Sequence, residues 1–161
     1  MKFPVLFASV FAATLALADA ASEYDEACAD FDRFYIGAAA GAVLPQGGGR
    51  MSARAGAVIR AGFYLTEAWA AEGEASSAGD HVGFAARALW HWWGYERLDP
   101  FFTFGARGWT HHGQVGPCGG LGSFYHLTES LSLRFDADAA MGLDTDVEMV
   151  YSLACGLQLS F

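Results

Sequence analysis

Arg54, Arg60, Arg87, Arg107 and Arg134 stand in segments that also carry Glu72, Glu74, Asp136, Asp138 and Glu148, five charges of each sign set among Gly, Ser and apolar residues. A folded surface that gathers all ten can line a path for ions, or it can neutralise itself as a plug of guanidinium–carboxylate pairs. Other chemistry is thinly supplied. His111 and His112 are metal-ligand types, but adjacent side chains point in different directions and no carboxylate or thiol is spaced to complete a shell, so an ordinary polar loop is expected there. Gly47-Gly48-Gly49 is followed by neither Lys-Ser/Thr nor a helical pattern, and reads as a flexible turn instead of a phosphate cradle. Cys28, Cys118 and Cys155 are an odd number, which rules out a complete disulfide framework. Cys28 follows Asp25-Glu26-Ala27, not the small apolar stretch of a lipid-attachment box, and reads as a free thiol in a tail. No catalytic, cofactor-binding or metal site is expected.

The elements that must position these charges begin after a leader. Lys2, the apolar run Phe3 to Leu17 and then Ala18-Asp19-Ala20 have the three-part layout of a secretory signal peptide, so residues 1–20 are set apart with cleavage expected after Ala20. The run is too short for a membrane-spanning helix, which needs ~20 residues. Residues 21–32 hold Glu23, Asp25, Glu26, Asp30 and Asp32 and read as an acidic, solvated, periplasmic tail. The whole chain carries a net charge of −9, and Lys2 is its only lysine. Nucleic-acid binding is excluded for want of a basic face.

Residues 33–161 break into runs of alternating character. At 54–65, Ala55, Ala57, Ile59, Ala61, Phe63 and Leu65 share one face, and Arg54, Gly56, Val58, Arg60, Gly62 and Tyr64 share the other. The same split separates Val82, Phe84, Ala86, Ala88, Trp90 and Trp92 from Gly83, Arg87 and His91. It also separates Leu131, Leu133, Phe135, Ala137 and Ala139 from Ser132, Arg134, Asp136 and Asp138. Breaks are read at 45–52, 66–67, 76–80, 94–100, 110–116, 128–130 and 142–146. Seven connections make eight strands, an even number as bacterial barrels require. Trp69, Trp90, Trp92, Trp93, Phe101 and Phe102 gather near strand ends, where an interfacial girdle would place them.

Alternation alone does not say which face is outside, because a soluble carrier barrel has the same period with its apolar face inward. The polar face decides: it mixes Gly, Ser, Arg and acids with no Lys, which suits a crowded lumen better than a water-facing surface. The apolar face then meets lipid, and closure satisfies the backbone. Eight strands leave a bore only wide enough for side chains to fill, so a paired plug is expected instead of an ion path, with Arg134 among Asp136, Asp138 and Glu148.

Three stretches carry a family likeness. Phe34-Tyr35-Ile36-Gly37-Ala38-Ala39-Ala40-Gly41 opens the first strand; Ser123-Phe124-Tyr125-His126-Leu127-Thr128 joins Leu131-Ser132-Leu133-Arg134-Phe135-Asp136 through a short turn; and Asp99-Pro100-Phe101-Phe102 opens the fifth strand. Together they resemble the transmembrane domain of outer-membrane protein A and its small relatives, over nearly all of residues 33–161. The last strand, Val147 to Phe161, with Leu157, Leu159 and Phe161 on one face, resembles the terminal signal such barrels present to the assembly machinery. The resemblance covers the barrel alone, so the periplasmic peptidoglycan-binding domain and the cell-wall tether of the larger members are not implied.

It implies an all-β, eight-stranded, antiparallel, up-and-down transmembrane β-barrel with a filled polar lumen, placed in the outer membrane. Its implied partners are lipid, lipopolysaccharide and the barrel-assembly machinery, and the role is structural or surface-interacting. The alternatives are a lipid A deacylase or acyltransferase type of enzyme, or a small porin-like channel. Barrel enzymes of that kind use a His, a Ser and a carboxylate at the lipid-facing rim. Here His126-Leu127-Thr128 with Asp136 or Asp138 matches poorly: Thr replaces Ser in an expected periplasmic turn, and His126 falls on the lumenal parity. No enzyme is therefore expected.

Overall fold

The computed structural model describes residues 34–47, 50–51, 53–79, 81–92, 97–109, 114–141 and 149–161. The expected signal peptide and acidic tail, with Cys28, lie outside the described residues, as do His111, His112, Trp93 and Glu148. The elements are β1 (Phe34–Gly47), β2 (Arg50–Met51), β3 (Arg54–Thr66), β4 (Trp69–Ala78), β5 (His81–His91), β6 (Leu98–Trp109), β7 (Gln114–His126), β8 (Leu131–Met141) and β9 (Met149–Ser160). Each long strand pairs antiparallel with the next, and β1 pairs with β9 to close the ring. The two residues of β2 pair only with the end of β1, so eight strands make the wall. Closure is completed at the terminus, where Phe34 and Phe161 exchange backbone hydrogen bonds of 3.1 and 2.9 Å.

Period-2 patterning produces the two faces. On β3 the odd-numbered residues Ala55 to Leu65 are exposed, whereas Val58 and Arg60 are buried and Arg54, Gly56, Gly62 and Tyr64 half-buried. The same alternation holds on β5, β8 and β9, with Phe84, Trp90, Phe135, Leu153 and Leu157 outward. Leu121 and Ala137 depart from it: they are outward by parity yet nearly covered, on the floor of a recess edged by Phe135 and Leu153.

The ladders run further than the expected breaks allow. β1 continues through Pro45, β4 through Ser76 to Ala78, β6 starts at Leu98, ahead of Pro100, and β7 starts at Gln114. Prolines are accommodated because each falls where a ladder is interrupted. Pro45 lies between the last β1–β3 pair, Val43 with Arg54, and the first β1–β2 pair, Gln46 with Met51. Pro100 lies just past the last β5–β6 pair, and its carbonyl accepts a 2.9 Å bond from Trp92 N–H. Pro117 precedes the first β7–β8 pair. Gly79, between β4 and β5, takes φ 60°, the left-handed region that hairpin turns favour and side chains resist.

Toward the end where Phe34 meets Phe161, two lumenal glycines are needed because an aromatic ring lies against them. A Cβ on Gly62 would collide with the Tyr35 ring and hydroxyl, and one on Gly122 with the Phe101 ring. Gly73 is the contrast, since its Cβ would meet only the Ala61 carbonyl, 3.9 Å away. Gly62→Ala is expected to cost ~1–3 kcal/mol by overpacking, and Gly73→Ala to be close to neutral. Urea midpoints of the two variants in one detergent check this, and equal midpoints would mean that Tyr35 is not seated on the wall at Gly62.

Candidate functional site

Inward parity delivers four guanidiniums and four carboxylates to the middle of the bore. Arg60, Arg87, Arg107 and Arg134 and Glu72, Glu74, Asp136 and Asp138 are all buried, none more than 6% exposed. Some pairs are short-range: Arg60 and Glu74 are direct cross-strand partners, and Arg60 Nε reaches Glu74 at 3.1 Å. Glu72 and Arg87 likewise face each other across β4 and β5, at 2.5 Å.

Other pairs reach past the neighbouring strands. Arg134 on β8 donates to Glu72 on β4, the strand on the opposite wall, through both Nη1 and Nη2. It also bonds Asp136 through Nε at 2.9 Å, and its guanidinium lies 4.9 Å from the Phe101 ring centroid and 5.0 Å from that of Phe124. Arg87 on β5 donates to Asp138 on β8 at 2.8 Å. Arg107 on β6 donates to Glu74 on β4 at 2.6 Å and to the Ser152 hydroxyl on β9 at 2.9 Å. Charged hydrogen bonds thus link non-adjacent strands through the bore.

Below the charges, toward the end where Phe34 meets Phe161, Tyr35, Ala70, Leu89, Phe101 and Phe124 form a buried cluster with Tyr64 packed against it. Phe101 and Phe124 stack at 4.7 Å, and Tyr35 donates to Glu72 at 3.0 Å, tying the seal to the charges. His91 Nδ1 contacts Asp99 Oδ2 at 2.6 Å, and the His91 ring stacks on Phe124. At the other end Val43, Ala78 and Val150 cluster with Trp109.

Several expectations are corrected by this geometry. Arg54 is half-buried near Gly79 and makes no ion pair with a described residue; it lies at the loop end of β3, above the network. Asp138 pairs with Arg87 and Arg107 and not with Arg134, because the stagger of the closed sheet brings Glu72 to Arg134 instead. Phe101, placed in the girdle from sequence, points inward at 1% exposure. The outer aromatic cluster is Trp69, Trp90, Trp92, Phe102 and Phe104, joined by ring contacts of 5.7–6.4 Å. His126 is lumenal and contacts Ser132 Oγ at 2.8 Å, and the Thr128 hydroxyl accepts from Leu131 N–H in the turn, so the two do not meet as a catalytic pair. Tyr35, Asp99, Thr103 and Gln158 join the lumen unforeseen. Thr103 donates to Asp138 at 2.9 Å, and Gln158 accepts from Arg134 at 3.3 Å. Parity was the signal that would have found Asp99 and Thr103, since they share the face of Phe101 and Arg107.

Outward, the wall presents Ile36, Ile59, Leu65, Phe84, Phe104, Val115 and Leu157, each about half exposed or more. A closed wall, apolar outside and charged within, is the inverse of a soluble barrel. The fold is that of the small outer-membrane barrels. Neisserial surface protein A is similar over 80% of this chain and 97% of its own, with a TM-score of 0.62 at 14% identity. Ail, the attachment invasion locus protein of Yersinia pestis, is similar over 80% and 98%, with a TM-score of 0.61 at 12% identity. A de novo designed transmembrane β-barrel is similar over 78% and 95%, with a TM-score of 0.56 at 12% identity. No family model matches the chain, and no curated protein matches it by sequence. Because a designed barrel shares the architecture, the likeness carries the fold and no particular function.

Proposed function

We propose that this chain is an integral barrel of the bacterial outer membrane, closed to ions, whose role is structural or exercised by its exterior and loops. The observation that carries the reading is the set of arginine–carboxylate contacts between opposite walls, above all Arg134 with Glu72. A lumen committed to pairing offers neither a conducting path nor a substrate cavity. Its partners in this reading are lipid and lipopolysaccharide around the wall and the barrel-assembly machinery, which would read Leu157, Leu159 and Phe161 on the outward face of the closing strand. The lipid-modifying alternative needs a nucleophile at the rim. The hydroxyl His126 contacts, Ser132, is 3% exposed inside the lumen.

Orientation and location are tested together by labelling intact cells with a membrane-impermeant maleimide. Ala53→Cys, at the loop end of β3, is expected to label, and Glu129→Cys, in the turn between β7 and β8, only after the cells are permeabilised. Recovery of the protein in the soluble fraction after osmotic release would defeat the membrane assignment, and the reverse labelling pattern would invert the orientation.

A further inference from the structure

The two ends of the lumen are finished differently. The end near Phe34 and Phe161 is filled by rings, whereas the opposite end, among the described residues, sets one indole beside a small polar-lined cavity. Val58, Ser76, Gly83 and Trp109 are successive cross-strand partners on β3, β4, β5 and β6. A Cβ on Gly83 would lie 2.8 Å from the Trp109 ring and 2.9 Å from Ser76 Oγ, so this glycine is what lets indole and hydroxyl approach. Arg107 lies on the same face of β6, two residues before Trp109.

Ser76 Oγ, Arg107 Nε and Trp109 Nε1 are each buried and have no hydrogen-bond partner among the described residues. Ser76 and Arg107 are themselves only 7% and 4% exposed. All three residues line one cavity of about 10 Å³, with Gly41, Val43 and Gly56 among its walls. A space of that size takes one water-sized species and nothing larger. Chemistry narrows the occupant further. The indole and Nε groups can only donate. Among the described residues the nearby carboxylates and the Ser152 hydroxyl are already engaged: Glu74 by Arg60, Arg87 and Arg107, Asp138 by Arg87 and Thr103, and Ser152 by Arg107. Buried donors of this kind are almost always bonded to something.

We infer that the loop end of the lumen binds one water molecule as hydrogen-bond acceptor between Trp109 Nε1–H, Arg107 Nε–H and Ser76 Oγ. The bound species joins β4 to β6 across Gly83 and fixes the Trp109 ring over the charge network. This goes beyond a closed barrel, which would need no ligand to stay closed.

The experiment is nuclear magnetic resonance of the whole barrel in detergent with ¹⁵N-labelled tryptophan, the Trp109 indole signal being the one lost in Trp109→Phe. The indole proton is expected to show a cross-relaxation peak to a long-lived water. Ser76→Ala removes one of the three contacts and is expected to abolish that peak, while the backbone amide spectrum stays that of the parent. A Trp109 indole without the peak, or a peak that Ser76→Ala leaves unchanged, overturns the inference. The parent spectrum decides the first of these even if a variant fails to fold.

Discussion

Replacing Arg134 by Ala is expected to lower the stability of the barrel by ~3–5 kcal/mol, the range for stripping one partner from a buried charge pair. Arg134 is 2% exposed and holds Glu72, Asp136 and Gln158 while lying over Phe101 and Phe124. Without it, three guanidiniums face four carboxylates in the middle of the bore. Asp136 keeps one contact, Arg60 Nη2 at 3.2 Å, and Glu72 keeps Arg87 at 2.5 Å. Removing Asp136 together with Arg134 restores the balance of sign, so the double variant is expected to cost less than the two single ones summed. Urea midpoints of the three variants in detergent measure this coupling. Additive losses of a few tenths of a kcal/mol would mean that these side chains are hydrated and that the lumen is not filled by its own charges.

Arginine placed on the outer wall should be nearly as costly for the opposite reason. Ile59 sits in the middle of β3, is 63% exposed, and alternates with the buried Val58 and Arg60. In lipid, Ile59→Arg is expected to cost ~2–4 kcal/mol, the figure for a cation near the bilayer midplane, against ~0–1 kcal/mol for Ala55→Arg toward the loop end. Folding equilibria in lipid vesicles give both values. If the exterior met water, the two substitutions would be equally mild, and the apolar wall would need another explanation.

The fold was legible because outward aliphatic residues alternate cleanly with Gly, Ser and charge on β3, β5, β8 and β9, and a period of two leaves no choice of face once one face is assigned to lipid. Strand ends were less legible. Pro45, Ser76 and Pro100 have turn chemistry, yet the ladders pass through or begin ahead of them: Ser76 keeps its N–H and pairs on both sides, and the two prolines fall where a neighbouring ladder is interrupted. Nearness to a strand end points Phe101 toward the girdle; its parity with Asp99, Thr103 and Arg107 puts it inside. Membership of the charge network followed from parity for Arg60, Arg87, Arg107 and Arg134. Who pairs with whom did not: Arg134 finds Glu72, far away in sequence, and leaves Asp138 to Arg87 and Arg107. That choice depends on the stagger with which the sheet closes, which no local spacing encodes.

The central claim, a lumen closed by its own charges, is tested most directly by conductance across a planar bilayer holding the purified, folded barrel. Arg134, Arg87 and Arg107 each reach across the bore to a carboxylate on another part of the wall. The cavity that remains at the loop end is about 10 Å³. The expected record is a membrane indistinguishable from protein-free lipid at every voltage it withstands. A stable, ohmic, single-channel conductance from the parent protein, surviving changes of detergent and lipid, would contradict the account.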